Sequence, residues 1–98
     1  MEATYEQEID LLQKTIDHIC YAFYRYEIKP GLASFESMVS QLMPILTRHA
    51  HEEERIQEIN QLLEMIVVAV EKKDYLIAAD LLRYELLQRI ALLTSVSA

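Results

Sequence analysis

Residues 5–26 read YEQEIDLLQKTIDHICYAFYRY, and this stretch decides the fold. Seven of its apolar and aromatic residues recur at alternating intervals of four and three: Tyr5, Ile9, Leu12, Ile16, Ile19, Phe23 and Tyr26. Such spacing places them all on one face of an α-helix, whereas a β-strand would need a period of two, which no segment of the chain sustains. The stretch therefore predicts an all-α fold.

The first helix is expected to start near Tyr5 and to run to about Ile28. Thr4 and Gln7 have the spacing of a capping box at its start. The sequence Lys29-Pro30-Gly31 predicts its end, because proline and glycine are the strongest local breaks in a helical pattern.

A second helix is expected from an N-cap at Ser34, with apolar positions at Phe35, Met38, Val39, Leu42, Ile45 and Leu46. Pro44 lies inside this pattern, where it either kinks the helix or starts a new one. The polar residues 47–55 that follow contain no Gly or Pro. A helix running unbroken from 35 to 72 would be ~57 Å long, far longer than the first. A break between about 47 and 52 is favoured, with one long kinked helix as the alternative.

The third helix carries apolar residues at intervals of three and four: Ile56, Ile59, Leu63, Ile66 and Val70. Asp74 is the expected cap of a fourth helix over about 75–94, which is apolar around much of its circumference. Such a helix is buried by several neighbours, and a bundle this small offers few of them. This surplus of apolar surface predicts a homodimer.

The segment Lys73-Asp74-Tyr75-x-x-Ala78-Ala79-x-Leu81 resembles the Asp-Tyr-x-x-Ala start of many helical-hairpin units, including tetratricopeptide repeats. The chain has no 34-residue repeat, so the resemblance indicates a helix start and implies no function. The predicted architecture is a single domain over residues 1–98: a small antiparallel bundle of four helices, or of three with a kinked long middle helix.

The charge of the chain restricts its partners. Its net charge is −7, which argues against nucleic acid and anionic membranes, since both require basic surface. Residues 1–28 and 51–74 each carry −4, whereas residues 75–98 are neutral. The single cysteine, Cys20, fits a reducing compartment and is expected to be buried. An acidic start without an apolar signal region predicts a cytoplasmic protein.

No combination of residues predicts a catalytic, cofactor or metal site. No Glu or Asp lies three residues before a His, so the di-metal signal of helical bundles is absent. His49, His51 and Glu52 to Glu54 are metal-ligand types, but no second helix offers matching ligands, and a solvated acidic turn is expected there. His18 lies beside the apolar face of the first helix and is expected to be partly buried.

A second surface is predicted on the opposite side of the first helix. Tyr21, Tyr24 and Ile28 continue a row that starts at Asp10, and Arg25 lies between them. Tyrosine offers a large rigid surface with a polar tip and is enriched at interfaces, so these four residues are the predicted interface. Alternatively, the rings cover a neighbouring helix of the same chain.

These patterns favour a non-enzymatic helical protein-interaction module, such as an adaptor, regulator or chaperone-like protein, acting as a homo-oligomer and with a further protein partner. Two other functions stay open. One is an acidic inhibitor that mimics nucleic acid, which rests on the net charge. The other is a small metal-dependent enzyme that uses His18 or the histidines at 49 and 51.

Overall fold

The computed structural model describes the backbone of residues 5–94 and the side chains of residues 7–93, and its elements are four helices. Helix α1 spans Tyr5–Tyr24, α2 spans Ile28–Arg48 and α3 spans Glu53–Glu71. The fourth helix, α4, consists of an α-helical start at Tyr75–Asp80, a π-helical segment at Leu81–Leu86 and an α-helical end at Leu87–Thr94. No strand occurs within residues 5–94. The predicted all-α bundle is confirmed, in its four-helix form.

The apolar face of α1 lies in the core, as predicted. Leu12, Ile16, Ile19 and Phe23 are fully buried, and Ile9 is half-buried against them. Tyr26 is an error in the prediction: it lies beyond the end of the helix and is 63% exposed. The proposed capping residue Thr4 and the side chain of Tyr5 lie outside the described residues.

Two turns of the same design connect the helices into hairpins. After α1, Tyr26 has a φ of 58°, Tyr26 N donates to Phe23 O at 3.0 Å, and Glu27 N donates to Ala22 O at 2.8 Å. After α3, Lys73 and Asp74 repeat the pattern, with a φ of 64° at Lys73. This is the Schellman motif, in which a left-handed residue satisfies the last carbonyls of a helix. It reverses the chain within three residues.

The predicted end of the first helix and the predicted start of the second both lie further along the chain than the structure places them. Helix α1 stops at Tyr24, and α2 begins at Ile28 rather than after Ser34. Pro30 lies in the first turn of α2, where its missing N–H would have no partner inside the helix. The pair Pro30-Gly31 is part of α2 and does not end α1.

Gly31 is required by packing rather than by backbone conformation. It is buried in α2, and a Cβ atom built on it would lie 2.5 Å from Cε1 and 2.7 Å from Cδ1 of Phe23. Because the Phe23 ring is itself fully buried, it has little room to move away. Gly31 thus allows the start of α2 to approach α1 closely.

The break between α2 and α3 confirms the preferred prediction and excludes one continuous middle helix. Helix α2 continues through Pro44 and ends at Arg48, and α3 begins at Glu53. Pro44 is exposed, so water can hydrate the Ser40 carbonyl that loses its helical donor. The intervening turn is closed by Glu52 N, which donates to His49 O at 2.9 Å.

The π-helical segment widens one part of an otherwise α-helical element. Leu82, Leu86 and Ile90 are buried along it at intervals of four. The same interval occurs among the buried residues Leu12, Ile16 and Cys20 of the regular α-helix α1, so spacing alone does not account for the π segment. Asp74 occupies the predicted N-cap position of α4, although its side chain makes no capping hydrogen bond.

The helices pack in the order α2–α1–α4–α3. Helix α1 contacts α2 on one side and α4 on the other, and α3 packs against α4, so α2 and α3 lie at opposite edges. The α1–α2 pair is antiparallel: Arg48 pairs with Glu8, and Gln41 Nε2 donates to Thr15 Oγ1 at 3.0 Å. All four helices contribute to one core, which includes Ile16, Ile19, Phe23, Met38, Leu42, Ile45, Ile59, Ile66, Leu82, Leu86 and Leu93.

Replacing Gly31 by Ala is expected to destabilise the protein by about 1–3 kcal/mol, because the added methyl group overlaps the buried ring of Phe23. Alanine has the higher helix propensity, so a site without this clash would gain about 1 kcal/mol instead. Urea denaturation measures the difference. The double variant Gly31→Ala/Phe23→Leu should show a favourable coupling energy, and a stabilised Gly31→Ala variant would contradict this account.

Replacing Lys73 by Gly is expected to stabilise the protein by about 0.5–1 kcal/mol, because Gly adopts a positive φ without steric cost. The neighbouring variant Lys72→Gly is the matched control. Lys72 is also an exposed lysine, but its φ is −83°. Replacing it by Gly therefore removes the same charge without relieving a positive φ. Thermal denaturation should show opposite shifts for the two variants; equal shifts would disprove the effect.

Candidate functional site

An open groove of about 550 Å³ runs between α3 and α4. Its floor and walls are mainly apolar and its rim is polar; the lining residues are Gln61, Glu64, Met65, Val68, Ala69, Lys72, Asp74, Ile77 and Leu81. Met65 is 56% exposed, Val68 47% and Ile77 54%. Three neighbouring apolar side chains are thus half in water, which is unusual when they share one surface.

Helix α3 lies at an edge of the bundle and carries more apolar residues than its buried face contains. Some of the remaining apolar residues line the groove. Ile59, Leu62, Ile66 and Ala69 face the core. Met65 and Val68 lie outside this buried face and line the groove together with Ile77 of α4. The sequence carried the signal for this surface in the uninterrupted apolar run from Met65 to Val70, since a single buried face would interrupt such a run with polar residues.

The predicted interface residues do not form one helical face. Tyr21 is exposed on α1, with the Arg25 guanidinium 5.2 Å from its ring centre. Arg25 lies in the turn and pairs with Glu27, with 3.5 Å between Nε and Oε1. Ile28 is half-buried and is the first residue of α2, not part of α1. Tyr21 and Arg25 remain an exposed pair, separate from the groove.

Tyr24 contacts a neighbouring helix of the same chain. Its hydroxyl donates to Asp80 Oδ1 of α4 at 2.6 Å. This hydrogen bond, together with smaller contributions from burial and from the carboxylate charge, raises the pKa of Tyr24 to about 12. The ring is 37% exposed, so it offers only part of its surface to a partner.

Cys20 is buried beside this contact, as predicted, and donates from Sγ to the carbonyl oxygen of Ala79 at 3.4 Å. Burial is the largest of the effects that raise the pKa of its thiol to about 11, and Asp17 adds to it. The thiolate is the reactive form of cysteine, so Cys20 is a packing residue and a poor nucleophile.

The histidines lie in two different environments. His18 is exposed on α1, so the expectation that it is partly buried is wrong. His49, His51 and Glu52 meet in the turn between α2 and α3, where one ligand atom from each lies within 4.8 Å of the others. His49 and Glu52 are mostly buried there, so the predicted solvated acidic turn is solvated only in part.

The geometry thus defines a small four-helix bundle with an apolar groove at one edge. Within residues 5–94, every helix falls short of the length and apolar content that crossing a bilayer requires. The sequence profile of the domain of unknown function DUF8042 matches residues 2–95, so the chain belongs to this family. Searches of curated proteins and of solved structures gave no match.

Replacing Tyr24 by Phe is expected to lower stability by about 1 kcal/mol at neutral pH. This is less than the ~1.5–3 kcal/mol of a buried hydrogen bond to a charged group, since the pair is partly exposed to solvent. The pKa of Tyr24 is raised on folding, so its contribution is complete below its ordinary value of about 10. It is lost as pH rises from there to about 12.

Urea titrations of both proteins between neutral pH and pH 12 test this. The stability difference between wild type and Tyr24→Phe should shrink over the alkaline part of the range. Tyr21→Phe, at an exposed tyrosine of the same helix, is the control and should show no such change. A difference that stays constant with pH would contradict the role of the hydrogen bond.

Proposed function

We propose that the protein is a non-enzymatic helical interaction module that acts as a homodimer, and that the groove between α3 and α4 holds the equivalent surface of a second copy. The observation that carries this proposal is the exposure of Met65, Val68 and Ile77 side by side in that groove. Fully burying a side chain of this size contributes about 1.5–3 kcal/mol relative to full exposure, and Met65, Val68 and Ile77 each have roughly half of their surface still to cover. The groove therefore has a strong tendency to be covered.

The arrangement of charges around the groove favours a second copy as the partner. Glu64 and Lys72 lie on the rim, eight residues apart, with Val68 midway between them. In a two-fold dimer the same patch meets itself. If two α3 helices cross antiparallel about an axis near Val68, Glu64 of each copy faces Lys72 of the other. The rim is thus complementary to its own two-fold image.

The non-enzymatic part of the proposal rests on the chemistry of the groove. Its described lining contains no His, Cys or Ser, and its only ionisable groups are Glu64, Lys72 and Asp74, all on the rim. General acid–base or nucleophilic catalysis needs such groups in a water-excluded cleft. The described groove is open and apolar, which suits a protein partner better than a small substrate.

The proposal predicts that Met65→Ser/Val68→Ser is monomeric where the wild type is dimeric. Both side chains are about half exposed, so the monomer should remain folded, which circular dichroism checks. Sedimentation velocity over micromolar to millimolar protein measures association, and the dissociation constant should rise at least about tenfold for the ~1.4 kcal/mol or more that the lost burial represents. A wild type that stays monomeric throughout would overturn the proposal.

Charge variants test the two-fold arrangement. Lys72→Glu places two carboxylates opposite each other and should weaken the dimer, whereas Glu64→Lys/Lys72→Glu exchanges the charges and should restore it. The matched control is Tyr21→Ser/Arg25→Ser, which alters the exposed pair on α1 and should leave the dimer intact. If this control dissociates the dimer while the groove variants do not, the interface is the Tyr21–Arg25 surface.

A further inference from the structure

The turn between α2 and α3 brings three metal-ligand side chains to a single point. His49 Nδ1 lies 2.9 Å from Glu52 Oε2, and His51 Nε2 lies 3.8 Å from the same oxygen. One ligand atom from each of the three residues lies within 4.8 Å of the others. Ligands at 2.0–2.2 Å from a tetrahedral Zn²⁺ ion are separated by about 3.4 Å, so only small rotations separate this arrangement from coordination.

We propose that His49, His51 and Glu52 form a binding site for a borderline divalent metal ion such as Zn²⁺. Two imidazole nitrogens and one carboxylate oxygen would hold the ion, and water would complete the coordination. This donor set suits Zn²⁺, Ni²⁺ or Cu²⁺ and is too rich in nitrogen for Mg²⁺ or Ca²⁺. The site lies at the α2–α3 turn, away from the groove, so it does not depend on the proposed dimer.

A neighbouring residue holds the carboxylate in the orientation that the site requires. Arg55 Nε lies 3.6 Å from Glu52 Oε1, whereas the closest contact of each imidazole is to Oε2. Oε2 is the oxygen that both His49 and His51 approach. Partners outside the ligand set commonly fix a ligating carboxylate in this way. Arg55 therefore orients Glu52 and leaves one oxygen for the ion.

The backbone fixes the turn before any ion binds. Glu52 N donates to His49 O at 2.9 Å, which fixes the spacing of these two ligands. The side chains of His49 and Glu52 are only 17% and 15% exposed, whereas His51 is 75% exposed and can rotate onto the ion. The adjacent Glu53 and Glu54 add negative charge that attracts a cation. Two of the three ligands are thus preorganised.

The site would connect the ends of two helices. His49 is the C-cap residue of α2, and Glu52 is the N-cap residue of α3. An ion bound to both would fix the angle at which the second hairpin leaves the first. Because the ion binds the folded turn, it should also raise the unfolding temperature by mass action. This effect gives a readout that needs no knowledge of biological activity.

Isothermal titration of untagged protein with Zn²⁺ tests the proposal. We expect one ion per chain, and at least about tenfold weaker binding in His49→Ala, His51→Ala and Glu52→Gln. His51→Ala is the most informative variant, because its exposed side chain can be removed without disturbing the fold. The absorption spectrum of the Co²⁺ complex should show mixed nitrogen and oxygen coordination, and the Zn²⁺-dependent rise in unfolding temperature should disappear in the same variants.

Two controls separate this site from unspecific binding. His18→Ala removes an exposed histidine on α1, and Glu36→Gln removes an exposed carboxylate on α2 that the site does not use. Both should bind Zn²⁺ as the wild type does. The proposal is overturned if wild-type protein binds Zn²⁺ no more tightly than His51→Ala, or if His18→Ala weakens binding as much as the ligand variants.

Discussion

The packing of Phe23 is the constraint on which the arrangement of the helices depends. The ring is fully buried at the end of α1, and α2 passes it at Gly31, where even a methyl group would overlap the ring. On its other side, the ring centre lies 5.3 Å from that of Tyr75, the first residue of α4. One side chain therefore sets the approach of three helices. Phe23 lies next to both Schellman turns. A small change in the direction of the chain at either turn would displace the whole helix that follows it.

The sequence was sufficient to predict the elements whose signal is local. The alternating spacing in α1 and the extent of α4 were correct, because a long apolar periodicity reports directly on the buried face of a helix. The prediction of the end of α1 was wrong because the residue that turns the chain is Tyr26. Tyrosine is not a residue type that indicates a positive φ. The prediction that the Pro30-Gly31 pair ends α1 was wrong for a related reason. Gly31 is required by its contact with Phe23 on another helix, and the local sequence does not show that contact.

The π-helical segment of α4 could not be predicted from residue spacing. Its buried residues Leu82, Leu86 and Ile90 are four apart, but so are the buried residues Leu12, Ile16 and Cys20 of the regular helix α1. The candidate site could not be predicted because it depends on which helices are neighbours. The spacing of apolar residues along one helix does not contain that information. The sequence left open whether Tyr24 faces a partner or a neighbouring helix of the same chain, and the position of Asp80 on α4 shows the contact within the chain. Equally, Met65 and Val68 form a groove with Ile77 only because α3 packs against α4.

The neighbour order of the helices has a consequence for how the chain folds. Each hairpin, α1–α2 and α3–α4, forms through contacts between segments joined by a three-residue turn. The two hairpins are joined by the first and last helices, through contacts such as those of Cys20 with Ala79 and Tyr24 with Asp80, which are 59 and 56 residues apart. Closing so long a loop is slower than forming either hairpin. During synthesis, the apolar face of α1 therefore stays half-covered until α4 has left the ribosome, and in that interval the nascent chain depends on its α1–α2 hairpin for protection against aggregation.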